Sequence, residues 1–266
     1  MTSDADVLAE AKRLLDDGTR LALCTVIEKK GSGPRDVGAK MIVRENGARF
    51  GTIGGGTLED ALVGECLKTL GERKARTATF DLTGNAEGGA IETGLICGGQ
   101  IVMFIDVLEP NPRLIIVGAG HVALSLARLA SITRFAVTVI DDDPEHASGE
   151  RFPMAERIIT GDFAHVLEEF ATRPDDYVVI AHGEPERDYV ALTTMMKKKP
   201  AYVGLLGSRK KVAQLVQRLQ TDGVSKEELT TLHAPVGVAI GAQTPEEIGI
   251  SILAEIIQHR RDERPR

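Results

Sequence analysis

"LIIVGAGHVALSLARLA" runs from Leu114 to Ala130. An apolar β-type run ends at Val117, a tight turn follows, and helical spacing of leucines and alanines begins at once. Gly118, Gly120 and Ala123 give the pattern G-x-G-x-x-A. The first glycine permits the turn, the second lets a ligand reach the backbone, and a small third residue lets helix and strand pack closely. Free N–H groups at the helix start favour an anion there. A second apolar run, "FAVTVID" (135–141), then ends in Asp141, about twenty residues on, where a carboxylate can meet a ribose hydroxyl. Strand, turn, helix, strand and acid in this order predict a Rossmann-like unit.

The rest of the carboxyl-terminal half fits that frame. "RIIT" (157–160), "DYVVIAH" (176–182) and "AYVGLLG" (201–207) are short apolar runs, each followed by a helix or loop. Strands buried on both faces belong to a parallel sheet flanked by helices. Ligands of such sheets bind at the carboxyl ends of the strands. This brings in His121 after the second glycine, Asp162 in "GDF", His182, and Ser208 with Arg209 at a further helix start. Each has a plainer reading: a solvated first-turn histidine, helix N-caps, surface charge. Lys210 and Lys211 read as solvated surface. The last helix is announced by Thr244 as N-cap, Pro245 at the first position and Glu247 three residues after the cap.

The amino-terminal half has a different texture. Residues 3–17 have helical spacing and stop at Gly18; 20–29 read as a strand; Asn46-Gly47 marks a hairpin; 58–70 read as a helix. Segments 75–82 and 100–110 read as strands, the second running out into Pro110, and 83–99 as a glycine-rich loop. Pro110 and Pro112 mark a boundary, giving domains of residues 1–110 and 111–266. The overall expectation is an α/β protein, a small α/β domain followed by a Rossmann-like one with a parallel sheet.

Composition narrows the function. The chain has 266 residues, a net charge of −7, three cysteines and no tryptophan. There is no basic footprint for nucleic acid and no apolar run long enough to cross a membrane. The first residues lack the pattern of a signal peptide, and sparse, odd-numbered cysteines fit a reducing cytoplasm. Cys24 and Cys66 read as inert core. No Ser-His-Asp order, H-E-x-x-H or paired C-x-x-C appears.

Several blocks together carry a resemblance: "GSGPRDVGAKMIV" (31–43), "GTIGGGTLE" (51–59), "CGGQIVMFIDVLEP" (97–110), "IIVGAGHVA" (115–123), "GLLGSRKK" (204–211) and "HAPVGVAIGAQTPEEIGISILAEI" (233–256). The chain resembles the XdhC/CoxI family of xanthine and carbon monoxide dehydrogenase maturation factors. The resemblance implies a non-catalytic chaperone that binds the molybdenum cofactor (molybdopterin), assists its sulfuration and delivers it to a molybdenum hydroxylase. A cysteine desulfurase as partner and a homodimer are implied with it. On this reading Gly54, Gly55 and Gly56 form an N–H nest for an anion. Arg35 and Lys40 supply cations, Glu59 caps the helix or holds Arg35, and Cys97 relays sulfur or ligates metal. The competing reading of the Rossmann unit is an NAD(P)- or flavin-dependent oxidoreductase, or a nucleotide-sensing module.

Overall fold

The computed structural model describes residues 2–84, 88–95 and 98–262. The chain divides into two compact units, the first ending at Asn111 and the second beginning at Pro112.

The first unit comprises helix α1 (Asp4–Asp16), strands β1 (Leu21–Gly31), β2 (Lys40–Arg44) and β3 (Arg49–Gly51), helix α2 (Gly56–Glu72), and strands β4 (Arg76–Asp81), β5 (Ile91–Glu92) and β6 (Gly99–Leu108). The strands form a sheet in the order β3-β2-β1-β6-β4-β5. Neighbours are antiparallel except β4 with β5. Side chains alternate across a strand, and here that period assigns a helix to each face. Ala22, Cys24 and Val26 of β1 and Met41 and Val43 of β2 pack with Leu58, Leu62, Cys66 and Leu70 of α2. The intervening Leu21 and Ile42 pack with Val7, Ala11 and Leu14 of α1. The β1–β6 register shifts between Val26 and Glu28, a β-bulge that breaks the alternation and leaves Ile27 exposed. The hairpin turns at Gly47, whose φ of 80° is in the left-handed region.

The second unit comprises β7 (Arg113–Val117), α3 (His121–Ile132), β8 (Ala136–Asp141), β9 (Arg157–Thr160), α4 (Phe163–Glu169), β10 (Tyr177–Ile180), α5 (Pro185–Lys198), β11 (Tyr202–Leu205), α6 (Arg209–Thr221), α7 (Lys226–Leu229), β12 (Leu232–His233) and α8 (Pro245–Asp262). Its strands are parallel, in the order β12-β11-β10-β7-β8-β9. Numbered from β7 this is 3-2-1-4-5-6 read from the other edge, the doubly wound Rossmann order. The direction of winding reverses between β7 and β10, so their carboxyl ends frame the crevice where such folds bind ligands. One core lies under α3 and α8, and the other under α4, α5 and α6. The start of α8 is a capping box: Thr244 Oγ1 accepts from the Glu247 N–H at 3.2 Å, and Glu247 Oε2 accepts from the Thr244 N–H at 3.1 Å. Among the described residues no helix is long and apolar enough to cross a membrane.

Two elements have two residues each: β5, inside the stretch that reads as a glycine-rich loop, and β12, which no local pattern marks. Each exists only because a neighbouring strand pairs with it.

Candidate functional site

The turn after β7 is built by two glycines under different constraints. Gly118 has φ +113°, and a Cβ there would lie 2.5 Å from Ala181 C and His182 N, so the turn can pass the end of β10 only with a bare backbone. Gly120 has φ −71° and ψ −173°, ordinary extended backbone, and a Cβ there would meet nothing within 4 Å. Nothing inside the fold requires glycine at 120; what the residue preserves is open space at the helix start. Ala123 is fully buried against the sheet, the small third residue that the motif demands.

Helix α3 begins at Gly120 with no side-chain cap and no acidic residue in its first turn. Its leading N–H groups and positive pole therefore face the open side without a carboxylate of their own, which is the condition for holding an anion. His121 stands exposed at the first helical position.

Two carboxylates line the end of β8. Asp141 is buried; its Oδ2 accepts from the Ala119 N–H at 2.6 Å and its Oδ1 from the Asp143 N–H at 2.9 Å. It thus pins the glycine turn at the end of β8. Asp142 accepts from His182 Nε2 at 3.1 Å and lies 2.5 Å from Arg187 Nη2. Burial works against its charge, but the His182 hydrogen bond and the nearby Arg187 outweigh it and hold its carboxyl below the usual range. Ligand atoms of Asp141, Asp142 and His182 lie within 4.8 Å of one another, close enough for a metal. Arg187 already supplies the positive charge on the Asp142 side.

His182 is also held from below. Its backbone N–H donates to Asp188 Oδ1 at 3.1 Å, and its ring meets the edge of Phe163 at 5.2 Å. Asp188 is fully buried and pairs with Lys211, whose ammonium also donates to the Gly183 carbonyl at 3.2 Å. Lys211 is therefore not the solvated surface charge that its sequence context suggests. It neutralises a buried carboxylate and clamps the loop carrying His182. Nothing local signals this pair, because its members lie 23 residues apart on different helices.

Gly118, Gly120, Asp141 and His182 thus come together, with His121 beside them. Asp162 and Ser208 stand at the same edge of the sheet but after β9 and β11, and both act as N-caps: Asp162 accepts from the His165 N–H at 3.0 Å and Ser208 from the Lys211 N–H at 3.3 Å. Arg209 is exposed.

In the first unit the glycine-rich segments converge. A Cβ on Gly54 would lie 2.3 Å from the Pro34 ring, and one on Gly99 would lie 2.0 Å from the Ser32 carbonyl oxygen. Bare backbone is needed there because loop packs on loop. Gly54, Gly55 and Gly56 all have positive φ, at 136°, 80° and 63°. Their turn does cradle a carboxylate, but it is the protein's own. Glu59 Oε1 accepts from Thr52 Oγ1 at 2.6 Å, from the Gly55 N–H at 2.9 Å and from the Ile53 N–H at 3.1 Å. The anion nest expected at Gly54–Gly56 is corrected accordingly: Glu59, reaching back from the first turn of α2, takes the N–H groups of Ile53 and Gly55. Its cation is Arg49, 3.5 Å away, rather than Arg35. Lys40 donates to the Gly38 carbonyl at 2.9 Å. Arg35 is half-buried in the 32–39 loop and makes no ion pair among the described residues. Cys97 lies outside the described residues.

A parallel 3-2-1-4-5-6 sheet with an open Gly-x-Gly turn at its switch point defines a Rossmann-type fold, here in a chain with a second α/β unit. The XdhC Rossmann domain matches residues 114–256, and the XdhC and CoxI family matches residues 14–81. The chain belongs to the XdhC and CoxI family. It is 38% identical over 254 residues to YqeB of Escherichia coli, an uncharacterized protein, covering 95% of this chain but only 46% of YqeB. The chain therefore spans a little under half of that relative. It is 28% identical to a probable xanthine dehydrogenase subunit of Bacillus subtilis, covering 93% of this chain and 96% of the relative. The molybdenum cofactor insertion chaperone PaoD of Escherichia coli is 27% identical, with 96% of this chain and 88% of PaoD covered. A crystal structure of a xanthine dehydrogenase from Bacillus halodurans superposes with a TM-score of 0.54 at 26% identity, over 96% of each chain.

Proposed function

We propose that this chain is a maturation factor that binds the molybdenum cofactor and delivers it to a xanthine-dehydrogenase-type molybdenum hydroxylase in the cytoplasm. The observation that carries this reading is Gly120: an open backbone position at the uncapped start of α3, beside the Asp141–His182 wall. The cofactor is a pterin with a phosphate. The leading N–H groups of α3 would hold that phosphate, His121 would flank it, and in a nucleotide-extended form the ribose would meet Asp141 and Asp142. The names of two relatives, a cofactor insertion chaperone and a probable xanthine dehydrogenase component, support the same cargo.

The crevice is better suited to holding than to turnover. His182 and Arg187 both pair with Asp142, and Lys211 pairs with Asp188, so these side chains are held by partners within the protein. In the first unit, Arg35 and Lys40 remain candidate cations for an anionic ligand. Cys97 would accept the outer sulfur of a desulfurase persulfide, with the desulfurase thiolate as leaving group, and would hold it as a persulfide for the cofactor.

The test is activation of a client hydroxylase co-expressed with this chain. Expected is a molybdenum-loaded, active client with the wild type. A Cys97→Ala variant should give a client that contains molybdenum but lacks its cyanide-labile sulfur. A client equally active without this chain would refute the maturation role. A fully sulfurated client with Cys97→Ala would remove Cys97 from it.

A further inference from the structure

We propose that Cys24 and Cys66 are an oxidative modification site, closing to a reversible disulfide between strand β1 and helix α2 of the first unit. Cys24 lies on β1 and Cys66 on α2, 42 positions apart, yet their sulfurs are 3.1 Å from each other. Both side chains have 0% exposure and share one core cluster. A disulfide needs a sulfur separation of about 2.0 Å. The gap is thus roughly one ångström, and the two side chains already point at each other.

The competing reading is an inert pair of small apolar residues. Burial does favour it at the first step. The contact with Cys66, and burial itself, push the Cys24 thiol well above its ordinary range, so thiolate is scarce. Oxidation must begin slowly, during local opening. The second step is different, because the partner sulfur is already in place and the reaction is intramolecular.

The chemistry balances with a peroxide as oxidant. The thiolate of Cys66 attacks one peroxide oxygen; the O–O bond breaks, an S–O bond forms, and hydroxide leaves, taking up the thiol's proton as water. The sulfur of Cys24 then attacks the sulfenic sulfur. An S–S bond forms, the S–O bond breaks, and a second water leaves with the Cys24 proton. Two thiols and one hydrogen peroxide give one disulfide and two waters. A dithiol reductant reverses it by exchange.

The bridge would enclose both the 32–39 loop and the glycine turn that Glu59 caps. Constraining that loop in the unfolded chain should raise the melting temperature by about 5–15 °C.

The experiment treats the intact folded chain with excess hydrogen peroxide, quenches, denatures, blocks free thiols with N-ethylmaleimide and maps the peptides by mass. Expected is a peptide pair joined through Cys24 and Cys66, lighter by two hydrogens, with a raised melting temperature that dithiothreitol reverses. The same crosslink should form in Cys97→Ser and be absent from Cys66→Ala. If Cys66→Ala does not fold, the wild-type map decides alone. Maleimide on both Cys24 and Cys66 after treatment, or a bridge from either to Cys97, would overturn the proposal. The outcome is independent of whether the chain carries molybdenum cofactor.

Discussion

A methyl group added at Gly118 would sit against the end of β10, 2.5 Å from backbone atoms, at a φ of +113° that side chains rarely adopt. The same methyl at Gly120 would touch nothing within 4 Å. The motif is one, but the two glycines answer different demands. Gly118→Ala should cost roughly 2–4 kcal/mol by urea unfolding. Gly120→Ala should cost well under about 1 kcal/mol, within the range of ordinary surface changes. Glu59 offers a pH test at the same scale. Burial opposes its charge, yet the Thr52 hydroxyl, the Gly55 and Ile53 N–H groups and Arg49 outweigh that and lower its carboxyl. A carboxyl lowered in the folded state adds stability above its unfolded value, and that stability is lost as pH falls through the folded one. Glu59→Gln should therefore be less stable than wild type by about 1–3 kcal/mol at neutral pH. The gap should narrow below about pH 4, measured by unfolding at a series of pH values. A gap that persisted into strong acid would mean that the glutamate acts through packing instead of charge.

At the scale of elements, the sequence was legible wherever the signal was local. The α8 capping box could be read from Thr244, Pro245 and Glu247, and the β7–α3 turn from three small residues and an acid at the right distance. No local signal marks β5 and β12, whose two residues each are strands only through their neighbours, or sets Lys211 apart from surface charge. The Lys211–Asp188 pair is a contact between α6 and α5, and no pattern within either helix encodes it. It also carries a prediction. Lys211→Met leaves Asp188 buried without its cation and should destabilise by about 3–5 kcal/mol, while Lys211→Met with Asp188→Asn should recover much of that loss. Equal damage from the single and double changes would contradict the pairing. The α3–α8 crossing gives another. A Cβ at Gly249 of α8 would lie 3.2 Å from both the Leu126 nitrogen and Leu129 Cδ1 of α3. Gly249→Val should thus cost about 1–3 kcal/mol. A stabilised variant, as helix propensity alone would give, would show that the helices are free to move apart.

For the whole molecule, the chain carries two units with separate cores. The prolines around Asn111 made the change of texture readable, and we propose a domain boundary there. Residues 112–266 expressed alone should give a folded unit, with dispersed amide resonances and a single unfolding transition. An unfolded fragment would argue that the first unit is needed to complete it. Cargo was legible only through family resemblance, because neither composition nor the Gly-x-Gly turn distinguishes a pterin phosphate from another anion. The sulfur-carrying role proposed for Cys97 comes from the family resemblance and from its place in "ICGGQ".

The most direct test is the pterin and molybdenum content of the chain purified anaerobically from cells that make the cofactor. Wild type should carry pterin near one equivalent, and Gly120→Val, folded and of similar melting temperature, should carry almost none. A wild type free of pterin, or a Gly120→Val variant that retains it in full, would contradict the assignment of the cofactor to the crevice of the second unit.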